Sequence, residues 1–245
     1  MIETDRIYQE DCLQTLSRME DNSVDLIITS PPYNKGWWSY NKNERPREYS
    51  DFCTKARVIN YGDCKDRWTP EEYEAWQRKV ITECLRVLKP TGSLFYNHTE
   101  IQCRLLSINP TYVYDFPLKQ TIVWDKGSTP RIDKSYFFPC TDWLYWIKKT
   151  EDAKPYFNRK EALFRRNVWT FAPDRRNSHP APFPLALPEN CILTCSKEGD
   201  VVYDPFMGSG TTAVAAKKHN RHYIGSELSE EYVRQAEERL RKIDN

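Results

Sequence analysis

VVYDPFMGSGTT, residues 201–212, has the order of a β-strand, a tight loop and the start of a helix. Three apolar residues open the segment, as in a buried strand. The glycines at positions 208 and 210 allow the backbone to turn sharply and to approach a ligand closely. Glycine is scarce in this chain, with 8 in 245 residues, so two of them this close together are informative. The segment predicts a strand–loop–helix unit of an α/β protein.

Further strands and helices alternate around this segment. Apolar runs predict strands at residues 7–8, 24–29, 93–97, 120–124, 143–147 and 222–226, and residues 201–203 supply a seventh. Periodicity and capping signals predict helices at residues 11–19, 70–88, 186–196, 211–219 and 228–243. The alternation predicts an α/β sandwich with a mainly parallel, seven-stranded sheet. Ligands of such sheets bind beyond the carboxyl ends of the strands.

Composition predicts a globular protein of one domain, residues 1–245, with a loop insertion at residues 34–68. Apolar residues make up 39% and charged residues 29%, and the net charge is +1. No apolar run reaches the roughly 18 residues that a membrane-spanning helix needs. Residues 1–12 lack a signal-peptide pattern, so we expect an intracellular protein, cytoplasmic if prokaryotic. The 8 cysteines form no CxxC pair, and we therefore expect reduced thiols and no metal.

Three kinds of ligand site are compatible with the glycine loop. A phosphate-binding P-loop would have Lys followed by Ser or Thr after the last glycine, where Thr211 and Thr212 stand instead. A dinucleotide site would have a third glycine near position 213, where the chain has a small alanine. A nucleoside cofactor without a pyrophosphate would use the same geometry. Glu227, at the end of the next predicted strand, would then accept hydrogen bonds from two ribose hydroxyls.

A second unusual segment ends the predicted strand at residues 24–29. Ser30-Pro31-Pro32-Tyr33 contains two prolines, which fix φ and cannot continue a hydrogen-bonded ladder. The rigid turn leaves the Ser30 hydroxyl and the Pro31 carbonyl as acceptors, and Tyr33 adds a flat ring. Two acceptors beside a stacking surface suit an exocyclic amino group on a planar base. The alternative is a proline turn that only ends a strand.

Together, TSPPYN (residues 29–34) and DPFMGSGTT (residues 204–212) resemble the motifs of S-adenosylmethionine-dependent DNA amino-methyltransferases. The catalytic motif precedes the cofactor motif, which is similar to the circularly permuted order of their beta class. HPAPFP (residues 179–184) and YIGSE (residues 223–227) resemble two further motifs of that class. The resemblance implies a Rossmann-like methyltransferase fold, S-adenosylmethionine as cofactor and DNA as partner. It also implies direct methyl transfer to a flipped base without a metal, a membrane or a covalent intermediate.

The resemblance assigns roles to individual residues. The catalytic residues are Ser30, Pro31, Pro32 and Tyr33. The cofactor-binding residues are Asp11, His179, Pro180, Phe183, Asp204, Phe206, Gly208, Gly210, Thr211, Thr212 and Glu227. In this family a serine at the first catalytic position is commoner among N4-cytosine enzymes and an aspartate among N6-adenine enzymes. Exceptions occur where an asparagine follows the tyrosine, as Asn34 does, so cytosine N4 is favoured and adenine N6 is the alternative.

A basic segment at residues 148–178 lies where this class has its target-recognition region. Nine Lys and Arg residues stand there against four acidic ones, with aromatic residues between them, as expected for phosphate contacts and stacking. The predicted DNA-binding residues are Trp37, Trp38, Lys154, Arg159, Lys160, Arg165, Arg166, Arg175 and Arg176. The alternative is a solvated basic face with aromatics packed on the domain. RNA methylation and an inactive nucleic-acid-binding subunit are the competing functions, and a homodimer is one candidate for the assembly.

Overall fold

Strand β2 (Val24–Thr29) lies inside a single sheet to which eight strands of the described chain contribute. The computed structural model describes residues 2–34, 68–98, 110–127, 140–173 and 184–243. The other strands are β1 (Arg6–Tyr8), β3 (Leu88–His98), β4 (Leu118–Asp125), β5 (Thr141–Ile147), β6 (Val168–Thr170), β7 (Val201–Asp204) and β8 (His222–Ser226). Their order across the sheet is β1-β8-β7-β2-β3-β5-β4-β6. Among these strands, only β5 runs antiparallel to its neighbours.

The predicted α/β fold with a mainly parallel sheet is confirmed, but the described residues form eight strands of this sheet and not the predicted seven. The additional strand is β6, which pairs in parallel with the carboxyl half of β4. Its three residues are too few to show a period in the sequence, and they lie inside the basic segment. Trp169, at its centre, is only 5% exposed and packs in the hydrophobic core. This aromatic residue of the basic segment therefore does not stack on a base.

Helices cover both faces of the sheet. On one face lie α1 (Cys12–Arg18) and α2 (Pro70–Val87), and on the other α3 (Ala186–Cys195), α4 (Thr211–Lys218) and α5 (Glu230–Arg241). Successive residues of β2 point to opposite faces. Leu26 and Ile28 join the core beneath α3 and α4, whereas Ile27 joins the core beneath α1 and α2. Burial on both faces explains why β2 is an uninterrupted apolar run. None of the described helices is long and apolar enough to cross a membrane.

Helix α2 begins where the sequence predicts. The strand that follows it, β3, begins earlier in the sequence than predicted. The Thr69 hydroxyl accepts from Glu72 N at 3.2 Å, and the Glu72 carboxylate accepts from Thr69 N at 2.9 Å. This capping box satisfies two amide groups of the first turn. At the other end, Leu88 already pairs with Val24 of β2, so β3 starts five residues before the predicted Ser93.

The order of the strands reverses between β2 and β7. From β2 the chain adds β3 on one side, and from β7 it adds β8 on the other. These four strands are parallel, so their carboxyl ends lie at the same edge of the sheet, here called the carboxyl edge. A reversal of this kind opens a crevice between the loops that follow the two central strands, and ligands of open α/β sheets bind there.

Candidate active site

The two sequence motifs meet at the carboxyl edge through one buried carboxylate, that of Asp204. Thr29, the last residue of β2, donates from Oγ1 to Asp204 Oδ1 at 2.9 Å across 175 positions of sequence. Thr212, in the first turn of α4, donates from Oγ1 to Asp204 Oδ2 at 2.7 Å. Because Ser30 directly follows Thr29, the Ser-Pro-Pro-Tyr turn and the glycine loop are neighbours in space.

The Asp204 carboxylate is buried, and both of its oxygens accept hydrogen bonds from the protein. Burial raises the pKa of Asp204 to about 6, against the hydrogen bonds donated by Thr212, Phe206 N and Thr29, and the charge of Glu227 adds to the rise. Asp204 is 1% exposed and Thr212 is fully buried. The side chains of these two predicted cofactor residues contact each other and are closed to a ligand in this structure. They therefore fix the shape of the loop.

Helix α5 fixes the glycine loop from its other side. Gly208 and Gly210 have φ values of 53° and 82°, in the left-handed region. A Cβ at Gly210 would lie 2.6 Å from Ala236 Cβ of α5, so a side chain is excluded on two grounds. Arg239 of α5 donates from Nη1 to the Ser209 carbonyl at 2.6 Å and to the Thr211 hydroxyl at 3.2 Å. The loop is thereby held at the N-terminus of α4.

Glu227 directly follows β8 and faces this loop. Its Oε2 accepts from Gly208 N at 2.8 Å, and its Oε1 accepts from Ser229 N at 2.9 Å. Burial raises the pKa of Glu227, and the backbone hydrogen bonds oppose that rise. Each carboxylate oxygen has a further lone pair and can also accept from a ligand hydroxyl. The position is compatible with the ribose contact, which stays a prediction.

Of the remaining cofactor candidates, the structure describes Asp11 and Phe206. Asp11 follows β1 and caps α1, with Oδ1 accepting from Leu13 N at 2.8 Å. Phe206 is half-buried, and its ring centroid lies 5.5 Å from that of Trp76 on α2. Both therefore lie at the carboxyl edge. Other candidates fall outside the described residues: His179, Pro180 and Phe183.

Ser30, Tyr33 and Asn97 form a triangle of polar contacts. The Ser30 and Tyr33 hydroxyl oxygens are 2.7 Å apart. Asn97 Oδ1 lies 3.1 Å from Tyr33 Oη and 3.3 Å from Ser30 Oγ and can accept a hydrogen bond from either hydroxyl. Asn97 lies near the carboxyl end of β3 and donates from Nδ2 to the Trp143 carbonyl at 3.0 Å. Tyr33 is 8% exposed, so the ring that we expected to clamp a base is mostly covered in this structure.

Helix α2 supports the same turn through Tyr73. Its hydroxyl donates to the Pro32 carbonyl at 2.7 Å and lies 3.1 Å from His98 Nε2. Because a carbonyl only accepts, the Tyr73 proton is used there, which assigns the donated proton of the second contact to His98 Nε2. The His98 ring also meets the Tyr33 ring edge-on, with centroids 5.1 Å apart. The turn is thus held between α2 and the end of β3.

Asn34 completes the catalytic motif and connects it to the start of α2. It is fully buried, with a φ of 53°. Its Oδ1 accepts from Trp68 N at 2.8 Å, and its Nδ2 donates to the Trp68 carbonyl at 2.7 Å. One side chain therefore joins residue 34 to residue 68.

The sequence did not identify Asn97, His98 or Tyr73 as site residues. For the first two a signal was available, because they are polar residues at the carboxyl end of a strand adjacent to β2. The same rule identified Asp204 and Glu227. Tyr73 gave no such signal, since it belongs to the apolar stripe of α2 and only its hydroxyl reaches the turn.

The described part of the basic segment, residues 148–173, runs from one end of the sheet towards the other. Tyr156 N donates to the Thr91 carbonyl, near the amino end of β3. At about 3.3 Å per residue of strand, this contact lies roughly 20 Å from the carboxyl edge. The structure places Lys154 near this end, with Arg159 and Lys160 next along the chain.

Residues 165–171 of the segment lie closer to the carboxyl edge. Arg165 and Arg166 precede Asn167, whose carbonyl accepts from Val123 N, two residues before the end of β4. Both arginines are exposed, as are the three basic residues nearer the other end. The rest of the predicted DNA contacts fall outside the described residues: Trp37, Trp38, Arg175 and Arg176.

The described residues contain no group of three or more His, Cys, Asp or Glu side chains that could hold a metal ion. Five cysteines are described, all with free thiols, and four of these are buried. Burial raises the pKa of Cys195 to about 11 and raises the pKa of the other buried thiols as well, those of Cys12, Cys84 and Cys191. These thiols are therefore neutral at neutral pH and pack as small apolar groups.

Comparison with known sequences relates the chain to DNA methylases. A family model described as "DNA methylase" matches residues 24–238. The type II methyltransferase M.BglII of Bacillus subtilis is 31% identical over 267 residues, which cover 93% of this chain and 66% of the relative. M.HpaI of Haemophilus parainfluenzae, also a type II methyltransferase, is 30% identical over 257 residues, with 96% and 74% covered. The chain thus spans about two thirds to three quarters of the length of these relatives.

Comparison with solved structures supports the fold. PvuII DNA methyltransferase, described as cytosine-N4-specific, matches with a TM-score of 0.72 and 21% identity over 98% of this chain and 87% of its own. M1.HpyAVI in its SAM complex matches with a TM-score of 0.64 and 24% identity, over 96% and 98%. The predicted Rossmann-like methyltransferase fold is confirmed. From the family match and the two relatives, we conclude that this chain belongs to the DNA methylase family that the two motifs predicted.

Proposed function

We propose that this protein transfers a methyl group from S-adenosylmethionine to the exocyclic amino group of a flipped base in DNA, with N4 of cytosine as the target. The observation that carries the proposal is the Asp204 bridge. It brings the Ser-Pro-Pro-Tyr turn and the glycine loop to one edge of the sheet, although they are far apart in sequence. A donor and an acceptor can therefore meet in one crevice.

The glycine loop and its neighbours suit a nucleoside cofactor. Gly208 and Gly210 give the close backbone approach that a ligand beside the loop needs. Glu227 offers lone pairs to a ribose diol, and Asp11 and Phe206 lie at the same edge. When bound, S-adenosylmethionine would supply an electrophilic methyl group, whose bond to sulfur breaks as its bond to the amino nitrogen forms, with loss of one amino proton.

The chain would contribute mainly by positioning and polarisation. A base in a duplex has to leave the stack before its amino group can be reached. The Ser30 hydroxyl and the Pro31 carbonyl would accept the two amino protons in hydrogen bonds and so direct the nitrogen lone pair towards the methyl group. Tyr33 would lie against the face of the base after its ring is uncovered.

Cytosine N4 is favoured by Ser30 at the first position of the catalytic motif. It is also the target named for the structural neighbour PvuII DNA methyltransferase. Adenine N6 is the alternative, and Asn34 after the tyrosine is the observation in its favour.

The whole chain is proposed to form one methyltransferase domain, with residues 148–178 contributing to target recognition. Arg165 and Arg166 are the described basic residues of this segment that lie nearest the carboxyl edge. They would contact phosphates, which position DNA without reading its sequence. Because the relatives M.BglII and M.HpaI are type II methyltransferases of bacteria, the proposed setting is a type II restriction–modification system in the cytoplasm of a prokaryote.

The test is to incubate the protein with labelled S-adenosylmethionine and mixed-sequence duplex DNA, digest the DNA and identify the methylated nucleoside by mass. N4-methylcytosine is the expected product. N6-methyladenine would reverse the choice of base and leave amino methylation standing. A folded protein that binds the cofactor and methylates no DNA would contradict the proposal, and transfer to RNA in a competition assay would replace DNA as substrate.

A further inference from the structure

We infer that Trp76 of α2 is a positioning residue of the cofactor site: its indole ring holds the Phe206 ring of the glycine loop in the orientation in which it binds S-adenosylmethionine. The inference deepens the proposed function and rests on it, because Phe206 is one of the proposed cofactor residues. It starts from the contact between the two rings, whose centroids lie 5.5 Å apart with their planes inclined at 56°.

The two rings meet at the carboxyl edge of the sheet. Phe206 stands two residues after Asp204, the last residue of β7, and Trp76 lies in the second turn of α2. The start of α2 lies beside the Ser-Pro-Pro-Tyr turn, because the Tyr73 hydroxyl donates to the Pro32 carbonyl at 2.7 Å. Trp76 therefore joins the helix that supports the catalytic motif to the loop that is proposed to bind the cofactor.

Hydrogen bonds fix the backbone around Phe206 but leave its side chain to be fixed by packing. Phe206 N donates to Asp204 Oδ1 at 3.0 Å, and Met207 N donates to the Ser226 carbonyl at 2.9 Å. A half-buried ring on a loop still has more than one staggered rotamer available to it. Contact with Trp76 favours one of them, since aromatic rings pair in offset or tilted arrangements. A ring that is already in its binding orientation spares the ligand the cost of ordering it.

Trp76 can orient Phe206 because it is itself held on other sides. The Trp68 ring stacks on it, with centroids 5.8 Å apart and planes only 8° from parallel, and the Tyr73 ring lies 6.1 Å away. Asn34 in turn binds both the backbone N–H and the carbonyl of Trp68. The series of contacts thus runs from Asn34 of the catalytic motif through two indole rings to Phe206 of the cofactor motif.

The exposure of these rings favours a role at the site over packing alone. Tyr73, on the same helix, is fully buried, whereas Trp68, Trp76 and Phe206 are half-buried. An indole that only packed α2 against the sheet would be expected to be buried as Tyr73 is. Half-buried rings keep surface that a ligand can cover, and these lie at the edge of the sheet where ligands of α/β proteins bind.

The test compares Trp76→Leu with Leu85→Ala, a variant of the same helix. Leu85 is also half-buried and packs on the core of this face, nine residues and about 14 Å further along α2. We expect Trp76→Leu to raise the Kd of S-adenosylmethionine about fivefold in calorimetric titration, as for the loss of one aromatic pair. The single-turnover methylation rate at saturating cofactor should stay within about twofold of wild type. Leu85→Ala should lower the melting temperature and leave the Kd within about twofold.

A double-mutant cycle with Phe206→Leu tests whether Trp76 acts through this ring. Phe206→Leu alone should raise the cofactor Kd at least as much as Trp76→Leu does. Once Phe206 is leucine, Trp76→Leu should raise the Kd by less than about twofold more. Trp76→Phe, which keeps a flat ring beside Phe206, should stay within about twofold of the wild-type Kd. If Trp76→Leu does not fold, Trp76→Gln places a good helix former at this half-exposed position and carries the same expectation.

Three results would overturn the inference: wild-type cofactor affinity in a folded Trp76→Leu variant, equal rises of the Kd in Trp76→Leu and Leu85→Ala, or independent effects of the two substitutions in the cycle. Failure of the proposed function would look different, because wild-type protein itself would then bind no S-adenosylmethionine or transfer no methyl group to DNA.

Discussion

Asp204 combines three accepted hydrogen bonds with a side chain that is almost closed to solvent. Its pKa lies near 6, above the ordinary value of 3.8, so the folded protein binds more protons at this site than the unfolded chain between those values. Stability contributed here is therefore lost as the pH rises from about 4 to about 6. Ionisation strengthens the hydrogen bonds from Thr29 and Thr212, but it does so against the cost of burying charge.

Asp204→Asn should remove this pH dependence, because an amide of the same shape does not titrate. The measurement is the free energy of unfolding in urea at a series of pH values for both proteins. As the pH rises from about 4 to about 6, the free energy of unfolding of the variant should increase relative to that of the wild-type protein. Parallel profiles would show that Asp204 titrates as an ordinary carboxyl group.

Glu227→Ala should weaken S-adenosylmethionine binding by about 1.5–3 kcal/mol, since charged hydrogen bonds to the ribose are lost. Calorimetric titration measures the affinity directly. Glu227→Gln keeps one acceptor oxygen and should lose less. Unchanged affinity in Glu227→Ala would remove this residue from the cofactor site.

At the scale of elements, the glycine loop depends on the contact between α4 and α5. Gly210 begins α4 in a left-handed conformation, and Ala236 of α5 lies where a Cβ would stand. Two costs are therefore present at one position, backbone strain and a steric clash. The chain also contains a position with the first cost alone. Gly199 has a φ of 80°, and a Cβ added there would meet no atom within 4 Å.

Gly210→Ala should consequently destabilise the protein more than Gly199→Ala, for which strain of about 1–2 kcal/mol is expected. Unfolding free energies of the two variants give the comparison. Cofactor affinity should fall in Gly210→Ala and stay at the wild-type value in Gly199→Ala. Equal losses of stability would mean that α5 yields to the added methyl group.

Helices and strands were predicted correctly where the residues of the segment themselves determine its structure. The apolar run of β2 and the capping box of α2 are local, and both appear where predicted. The bounds of β3 and the existence of β6 are not local. Leu88 is extended because Val24 lies opposite it, and Val168–Thr170 is a strand because the end of β4 offers a free side. Such pairings cannot be read from the residues that form them.

At the scale of the whole molecule, the prediction was that residues following the carboxyl ends of parallel strands come together. This rule was sufficient to predict that Ser30, Asp204 and Glu227 lie at the same edge of the sheet. It did not extend to the basic segment, whose path depends on contacts with α3 and β3. Lys154 and Arg166 are twelve positions apart in sequence, yet they lie towards opposite ends of the sheet. Charge alone therefore identified a surface but did not locate it relative to the crevice.

DNA binding should depend more on the arginines near the carboxyl edge than on Lys154, which lies towards the other end of the sheet. Replacing Arg165 and Arg166 by alanine should weaken binding to all sequences and reduce the slope of log affinity against log salt by about 2, one for each lost phosphate contact. Lys154→Ala should have a smaller effect. Titrations of labelled duplex at several salt concentrations measure both quantities. A larger effect of Lys154→Ala would place the DNA path at the amino end of the strands.

The pairing of Asn34 with both backbone groups of Trp68 has a consequence for how this protein tolerates change. The Asn34 amide joins residue 34 directly to residue 68. The number of residues between these two positions therefore has little effect on where either of them lies. The entropy of closing such a ring grows only logarithmically, by about 0.6 kcal/mol for each doubling of its length. Insertions and deletions between residues 34 and 68 should therefore leave the Ser-Pro-Pro-Tyr turn in place beside the start of α2.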